Sequence, residues 1–246
     1  MWPTIVDNLL MSLWLHLPFA LAAWGLRLVN FSGFLGGLLL GELIFLGAGW
    51  RGWLILVGFF TLAVGATKLG YTKKAERELA QEEGGRRGAK HALANSAWAV
   101  LLALALPVFA AWWPAGLLPL TLAYVGAFAT AVSDTGSSEL GQLYGTKPVL
   151  ITTFRRVPPG TAGAVSWQGT LGGLALAALL GLLAASVGLI PWSTVWIPPL
   201  AGLLGSSFES YLGAWLPAGG LSNEVENFLN TVVGSLAAFG LSWLVV

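Results

Sequence analysis

Long apolar runs separated by short polar connections dominate the chain. A helix that crosses a bilayer needs about 20 apolar residues. Runs of that kind lie at 5–28, 31–49, 53–69, 91–112, 117–143, 163–189, 195–216 and 221–245. The pattern predicts an all-α fold, a polytopic transmembrane helical bundle of seven or eight spans. It forms a single integral membrane domain over residues 1–246, with polar loops at 71–90 and 144–162. Gly33, Gly36, Gly37 and Gly41 mark the second run as a close-packing helix, since small residues let backbones approach. Glu42 is the lone acid of that run and reads as a structural or snorkelling residue. The stretch 72–90 carries mixed charge and predicts a short helix ended by Gly84-Gly85.

Composition agrees with this class. The 246 residues are 56% hydrophobic and only 9% charged, and the mean hydropathy is +0.77. Soluble domains carry roughly 25% charged residues. There is no cysteine, which excludes disulfides and thiolate chemistry. Two histidines far apart in the chain argue against a zinc site. The segment 1–14 has no basic n-region and no small-residue cleavage site, so no cleaved signal peptide is expected.

Charge placement says more than the net charge of +1. Lys68, Lys73, Lys74, Arg77, Arg86, Arg87 and Lys90 gather after the third run, and Lys147, Arg155 and Arg156 after the fifth. Arg51 stands almost alone in the opposite connections. Counting helices puts both basic loops on one side, which the positive-inside rule makes cytoplasmic. Trp112, Trp113, Trp192 and Trp196 fall at run ends on the other side, as an aromatic belt requires.

The fifth run turns polar at Ser133 and carries Asp134 and Glu139. Carboxylates in such a segment are costly and mark a protein interior or an aqueous cavity. At roughly 100° per residue, Asp134, Ser137, Ser138, Gly141 and Gln142 share one face, and Glu139 with Thr135 lies about 140° round. That arc suits a cavity wall; the structural alternative is an interhelical hydrogen-bond knot. In the following loop Arg155 and Arg156 offer forked donors for phosphate. Gly160, Thr161 and Gly163 open the next run, so a helix N-terminus there would present free N–H groups to an anion. The structural alternative is a plain orientation loop. Glu209 sits among Ser206, Ser207 and Ser210. Asn223, Asn227, Asn230 and Thr231 share a face of the last run, where Ser222 can also cap. Carboxylates, basic groups and amides converging at helix ends suit a magnesium-bound polyphosphate. No Walker-type loop is present.

Several blocks carry a family resemblance. They are Arg86-Arg87-Gly88-Ala89 with Leu93-Ala94-Asn95, Ser133-Asp134-Thr135-Gly136-Ser137-Ser138-Glu139-Leu140-Gly141, and Val157-Pro158-Pro159-Gly160-Thr161-Ala162-Gly163. Ser210-Tyr211-Leu212-Gly213-Ala214 and Asn227-Phe228-Leu229-Asn230-Thr231 extend the match. Together they resemble a family of integral membrane proteins that includes plant phytyl-phosphate kinase and its bacterial, archaeal and animal homologues. The resemblance implies transfer of the γ-phosphate of a nucleoside triphosphate, CTP by preference, to an isoprenoid monophosphate, giving the diphosphate used in tocopherol or prenyl-quinone assembly. Glu209 and Glu224 stand where that pattern has aspartate, Ser96 where it has glycine and His91 where it has glutamine.

The resulting expectation is a magnesium-dependent lipid kinase in the cell membrane, its site facing the cytoplasm. Asp134 and Glu139 would hold the metal, with Glu209 or Glu224, and Asp134, Glu139, Arg155 and Arg156 form the expected catalytic set. Lys68, Arg86, Arg87, Asn95, Ser137, Ser138, Gly160, Thr161, Gly163, Asn223 and Asn227 would bind phosphate and nucleotide. The prenyl tail would lie between Gly-rich and Leu-rich helices, open to membrane lipid. No nucleic-acid partner is implied, and a homo-oligomer is left open. A transporter of a phosphorylated or anionic solute is the alternative; it needs a charged path to the far side, and the sequence offers none. A non-catalytic scaffold would leave the buried carboxylates without a purpose.

Overall fold

A computed structural model describes residues 2–216 and 220–245. Among these residues eight α-helices run in chain order: α1 (Trp2–Gly25), α2 (Phe31–Lys68), α3 (Tyr71–Ala75), α4 (Ala89–Trp112), α5 (Leu117–Tyr144), α6 (Trp167–Ser186), α7 (Ile197–Trp215) and α8 (Asn223–Ser242). A two-stranded antiparallel hairpin, β1 (Val149–Leu150) and β2 (Ala164–Val165), stands between α5 and α6. The chain is an integral membrane protein built as an all-α polytopic bundle. By length and composition α2, α4, Pro114–Tyr144 and α6 can each cross a membrane. The polar residues of α7 and α8 lower their hydropathy.

Within α2, Gly49 has φ 65° and ψ −169°, which no helix accommodates. A straight helix would separate Gly33 from Thr67 by about 51 Å at 1.5 Å per residue. Both instead lie beside Arg87: a Cβ on Gly33 would meet its carbonyl, and its Nη2 donates to Thr67 Oγ1 at 3.1 Å. α2 is therefore a helical hairpin turning at Gly49, which accounts for the two separate apolar runs there.

α5 is the axis of the bundle, packed against α2, α4, α6, α7 and α8. From Leu120 to Ser133 every residue is buried. Small residues make this possible. Gly126 meets Ala201 and Ala238, Gly136 meets Gly173, and Thr130 fits against Gly205 and Gly234. Without a hydrophobic force between helices in lipid, such close backbone contact is what holds them together. The outer surface is apolar: Leu39, Leu101, Val108, Leu171 and Leu236 all stand outward.

The loops 71–90 and 144–162 lie at the same end of the bundle, since Arg77 Nη1 reaches the Gln142 carbonyl at 3.2 Å. Arg51 caps the opposite end, donating to the Gly188 carbonyl at 3.3 Å. Two local expectations change. The helix after Gly70 has only five residues, because Glu78 takes a left-handed φ of 58° and Leu79 N closes onto the Lys74 carbonyl. Gly84 and Gly85 end a separate 3₁₀ turn. Likewise α6 starts at Trp167, not Gly163. Ser166 is its N-cap, accepting from Gly169 N at 3.2 Å, while Gly163 at φ 73° belongs to the hairpin. The glycine-rich segment thus presents turn amides rather than a helix N-terminus.

Candidate active site

At the basic end, α5, α6, α7, the start of α8 and the hairpin enclose a polar cavity of about 340 Å³. The polar face of α5 enters it as Asp134, Ser137, Ser138, Gly141 and Gln142, the five residues the helical period puts together. Opposite them α7 supplies Ser206, Ser207, Glu209 and Ser210. The hairpin contributes Gly160, Thr161 and Gly163, and α8 contributes Asn223 and Glu226. Gly163 is fixed there by its positive φ and by Ala214, whose backbone leaves no room for a Cβ.

At the centre of the cavity two carboxyl groups face each other, Asp134 from α5 and Glu209 from α7. Asn230 Nδ2 donates to Glu209 Oε2 and fixes its orientation. Below them Ser133 and Ser206 hydroxyls meet at 3.3 Å, tying α5 to α7. Among the described residues no lysine, arginine or histidine forms an ion pair with either acid. Two carboxyl groups so close need a shared proton or a cation between them.

Glu139 is arranged differently. It points away from this cavity and is 1% exposed. The wholly buried Lys74 ammonium is bonded to it and also donates to the carbonyls of Thr67 (2.9 Å) and Ala66 (3.3 Å). The structure therefore does not bring Glu139 together with Asp134, and its charge is balanced inside the protein. Lys74 was missed by sequence reasoning; in a mixed-charge loop nothing local separates it from the exposed Lys73.

The other expected residues spread around the cavity rather than into it. Arg155 and Arg156 are exposed on the hairpin and do not line the cavity. Lys68 is exposed and bonds the Gly84 carbonyl at 2.7 Å, and Arg86 is exposed. Asn95 and Asn227 are buried, their amides turned back onto the carbonyls of His91 (2.9 Å) and Asn223 (2.7 Å). Glu224 lies outside the cavity at the start of α8. Arg87 is half-buried, within electrostatic reach of Glu139 and Asp134. Burial lowers its pKa from the ordinary guanidinium range, and the charges of Glu139 and Asp134 raise it again. Its backbone is pinned to the α1–α2 connection by Arg87 N to Leu28 O (3.0 Å) and Asn30 N to Arg87 O (3.2 Å). Ser206, Ser207, Ser210 and Glu226 line the cavity without having been assigned to it from sequence. The serine pattern around Glu209 was the signal that could have found the first three.

The model of the family described as Integral membrane protein DUF92 matches residues 14–244. The chain belongs to this family. Its relatives include an uncharacterized membrane protein of Synechocystis, sll0875, 38% identical over 82% of this chain and 78% of that protein. Protein VTE6, chloroplastic, of Arabidopsis thaliana is 32% identical over 96% of this chain and 71% of its own length. Uncharacterized membrane protein MJ0933 of Methanocaldococcus jannaschii is 33% identical over 85% and 84%. No solved structure matches the chain. The family is the integral membrane group that the motif blocks resemble, and those blocks supply the cavity's α5 face and its hairpin.

Proposed function

We propose that this protein is a kinase of isoprenoid monophosphates, using a nucleoside triphosphate, CTP by preference, at the polar cavity, and that this end faces the cytoplasm. The observation that carries the reading is the Asp134–Glu209 carboxyl pair, set in a polar cavity with no basic partner bonded to it among the described residues. The relation to Protein VTE6, chloroplastic, over nearly the whole chain, and the implication of the motif blocks, support a lipid phosphate as acceptor.

The donor set fits magnesium. This ion keeps several waters and is held by one or two carboxylates plus substrate phosphates, not by an all-protein cage. Among the described residues there is no group of three or more histidines and acids that could hold a metal, while the paired Asp134 and Glu209 supply the two carboxylates. Asp134 and Glu209 would hold magnesium, which when bound offsets phosphate charge as a Lewis acid. Asn230 keeps Glu209 turned toward Asp134. Ser137, Ser138 and Ser207 offer hydroxyl donors, and the hairpin's turn amides add more, to phosphate oxygens in the cavity. Arg87, within electrostatic reach of Asp134, supplies a permanent positive charge that would attract the acceptor phosphate.

In the transfer, an oxygen of the acceptor monophosphate bonds to the γ-phosphorus. The bond from that phosphorus to the β–γ bridging oxygen breaks, and the nucleoside diphosphate leaves with that oxygen. A phosphate acceptor is already an anionic nucleophile, so positioning and charge stabilisation suffice, without a strong base. The test is purified protein with labelled CTP or ATP and a panel of prenyl monophosphates. Asp134→Asn keeps size and hydrogen bonding but removes charge. Folding should persist while transfer of label falls by several orders of magnitude; near-normal transfer would refute the metal role.

A further inference from the structure

A second cavity lies outside the polar one. It is an apolar cleft of about 100 Å³ between α1, both arms of α2 and α4, walled by residues such as Phe19, Phe34, Leu38, Leu56 and Phe60. Its two ends are chemically unlike. At the basic end stands Arg87, with His91 beside it. At the other end the floor is His16, stacked on Trp53 with ring centroids 5.0 Å apart and held by Glu42, whose Oε1 is 2.9 Å from Nδ1. Gly33 lies against Arg87 and Gly41 against His16. Eight residues of helix separate these levels, so the apolar stretch is about 12 Å long.

An apolar slot with a cation at one mouth matches a chain that carries an anion at its end. Arg87 is within electrostatic reach of Asp134, so an anion at this mouth stands on the side of the fold that carries the proposed metal acids. We infer that the cleft seats the head-proximal isoprene units of the acceptor, its phosphate on Arg87, and that the rest of the tail passes into lipid. This rests on the proposed kinase reading. It assigns acceptor recognition to α1, α2 and α4, apart from the donor cavity of α5 to α8.

Gly37 provides the probe. It lines the cleft halfway between Gly33 and Gly41, and a Cβ there meets nothing within 4 Å. Gly37→Leu therefore fills the slot without a clash. Gly65, on the second arm of α2, is equally open but does not line the cleft, so Gly65→Leu is the matched control. With purified protein and labelled nucleotide, Gly37→Leu should raise the KM for geranylgeranyl phosphate at least about tenfold (about 1.4 kcal/mol). The KM for nucleotide should stay unchanged, and dimethylallyl phosphate, too short to reach Gly37, should be used as before. Gly65→Leu should behave as wild type. A wild-type KM for geranylgeranyl phosphate in Gly37→Leu would overturn the assignment and leave the kinase reading intact. Should the wild-type protein transfer nothing to any prenyl phosphate, the kinase reading fails, and photolabelling decides the cleft separately. A geranylgeranyl phosphate with a diazirine in its first isoprene unit should label α1 and α2 in wild type and lose that labelling in Gly37→Leu. Labelling elsewhere, or none, would overturn the assignment.

Discussion

Removing Lys74 tests whether Glu139 is structural. The ammonium is wholly buried and makes three hydrogen bonds, to Glu139 and to the last-turn carbonyls of Ala66 and Thr67. Lys74→Met keeps much of the apolar stem and strips the charge. Glu139 is then left as an uncompensated buried carboxylate, a loss of about 3–5 kcal/mol. In a chain of this size 1 kcal/mol moves the melting temperature roughly 2–4 °C, so the variant should melt roughly 6–20 °C lower in detergent. Replacing both partners by apolar groups removes the stranded charge. Lys74→Met with Glu139→Leu should recover most of the loss, short of the two carbonyl bonds. The double variant should also transfer phosphate at a rate near wild type, because its carboxylate is not in the cavity. A single variant that melts with the wild type would refute the burial argument. A refolded double variant without activity would return Glu139 to the chemistry.

Two more measurements bear on the architecture. The chain has no cysteine, so single cysteines report topology cleanly: the exposed positions Glu82→Cys and Thr152→Cys should label from one side, and Ala115→Cys from the other. Labelling of Glu82→Cys and Thr152→Cys from opposite sides would break the shared end. In proteoliposomes the protein should carry no phosphorylated solute across the bilayer, and protein-dependent flux that Asp134→Asn abolishes would favour the transporter reading.

Periodicity made the α5 face legible, because one helix carries Asp134 through Gln142 at fixed angles. It also separated Glu139 from that face by about 140°, and the structure places Glu139 on the far side, against Lys74. What periodicity could not give was the partner. Lys74 and Glu139 are 65 residues apart, and no local feature of either marks the contact. The hairpin was hidden for a similar reason. Its strands have two residues each, too short for an alternation, and the apolar residues after Gly163 read as helix. Ser166 as N-cap was the local sign that the helix began later. Arg155 and Arg156 stand differently: as loop arginines next to a glycine-rich turn they look like phosphate ligands, and the hairpin turns its glycines to the cavity while leaving the arginines exposed.

The polar cavity stops where α5 becomes tightly packed. Just beyond Asp134, Ser133 bonds Ser206, and one turn further Thr130 donates to the carbonyls of Gly126 (2.8 Å) and Ala201 (3.3 Å). Gly205 and Gly234 press against that same threonine, and Phe128, Ala127 and Val125 behind it are fully buried. A solute crossing from Asp134 to the other end would have to part α5 from α7 and α8 along their closest contacts. Among the described residues the opposite end offers Arg51 bonded to a backbone carbonyl and no acid pair to receive a charge. A kinase needs none of this path, since both its phosphates enter and leave from the polar end and its lipid chain enters sideways. A polar cavity with a carboxyl pair at its centre, and an apolar cleft that reaches Arg87 from the flank, fit the reaction proposed.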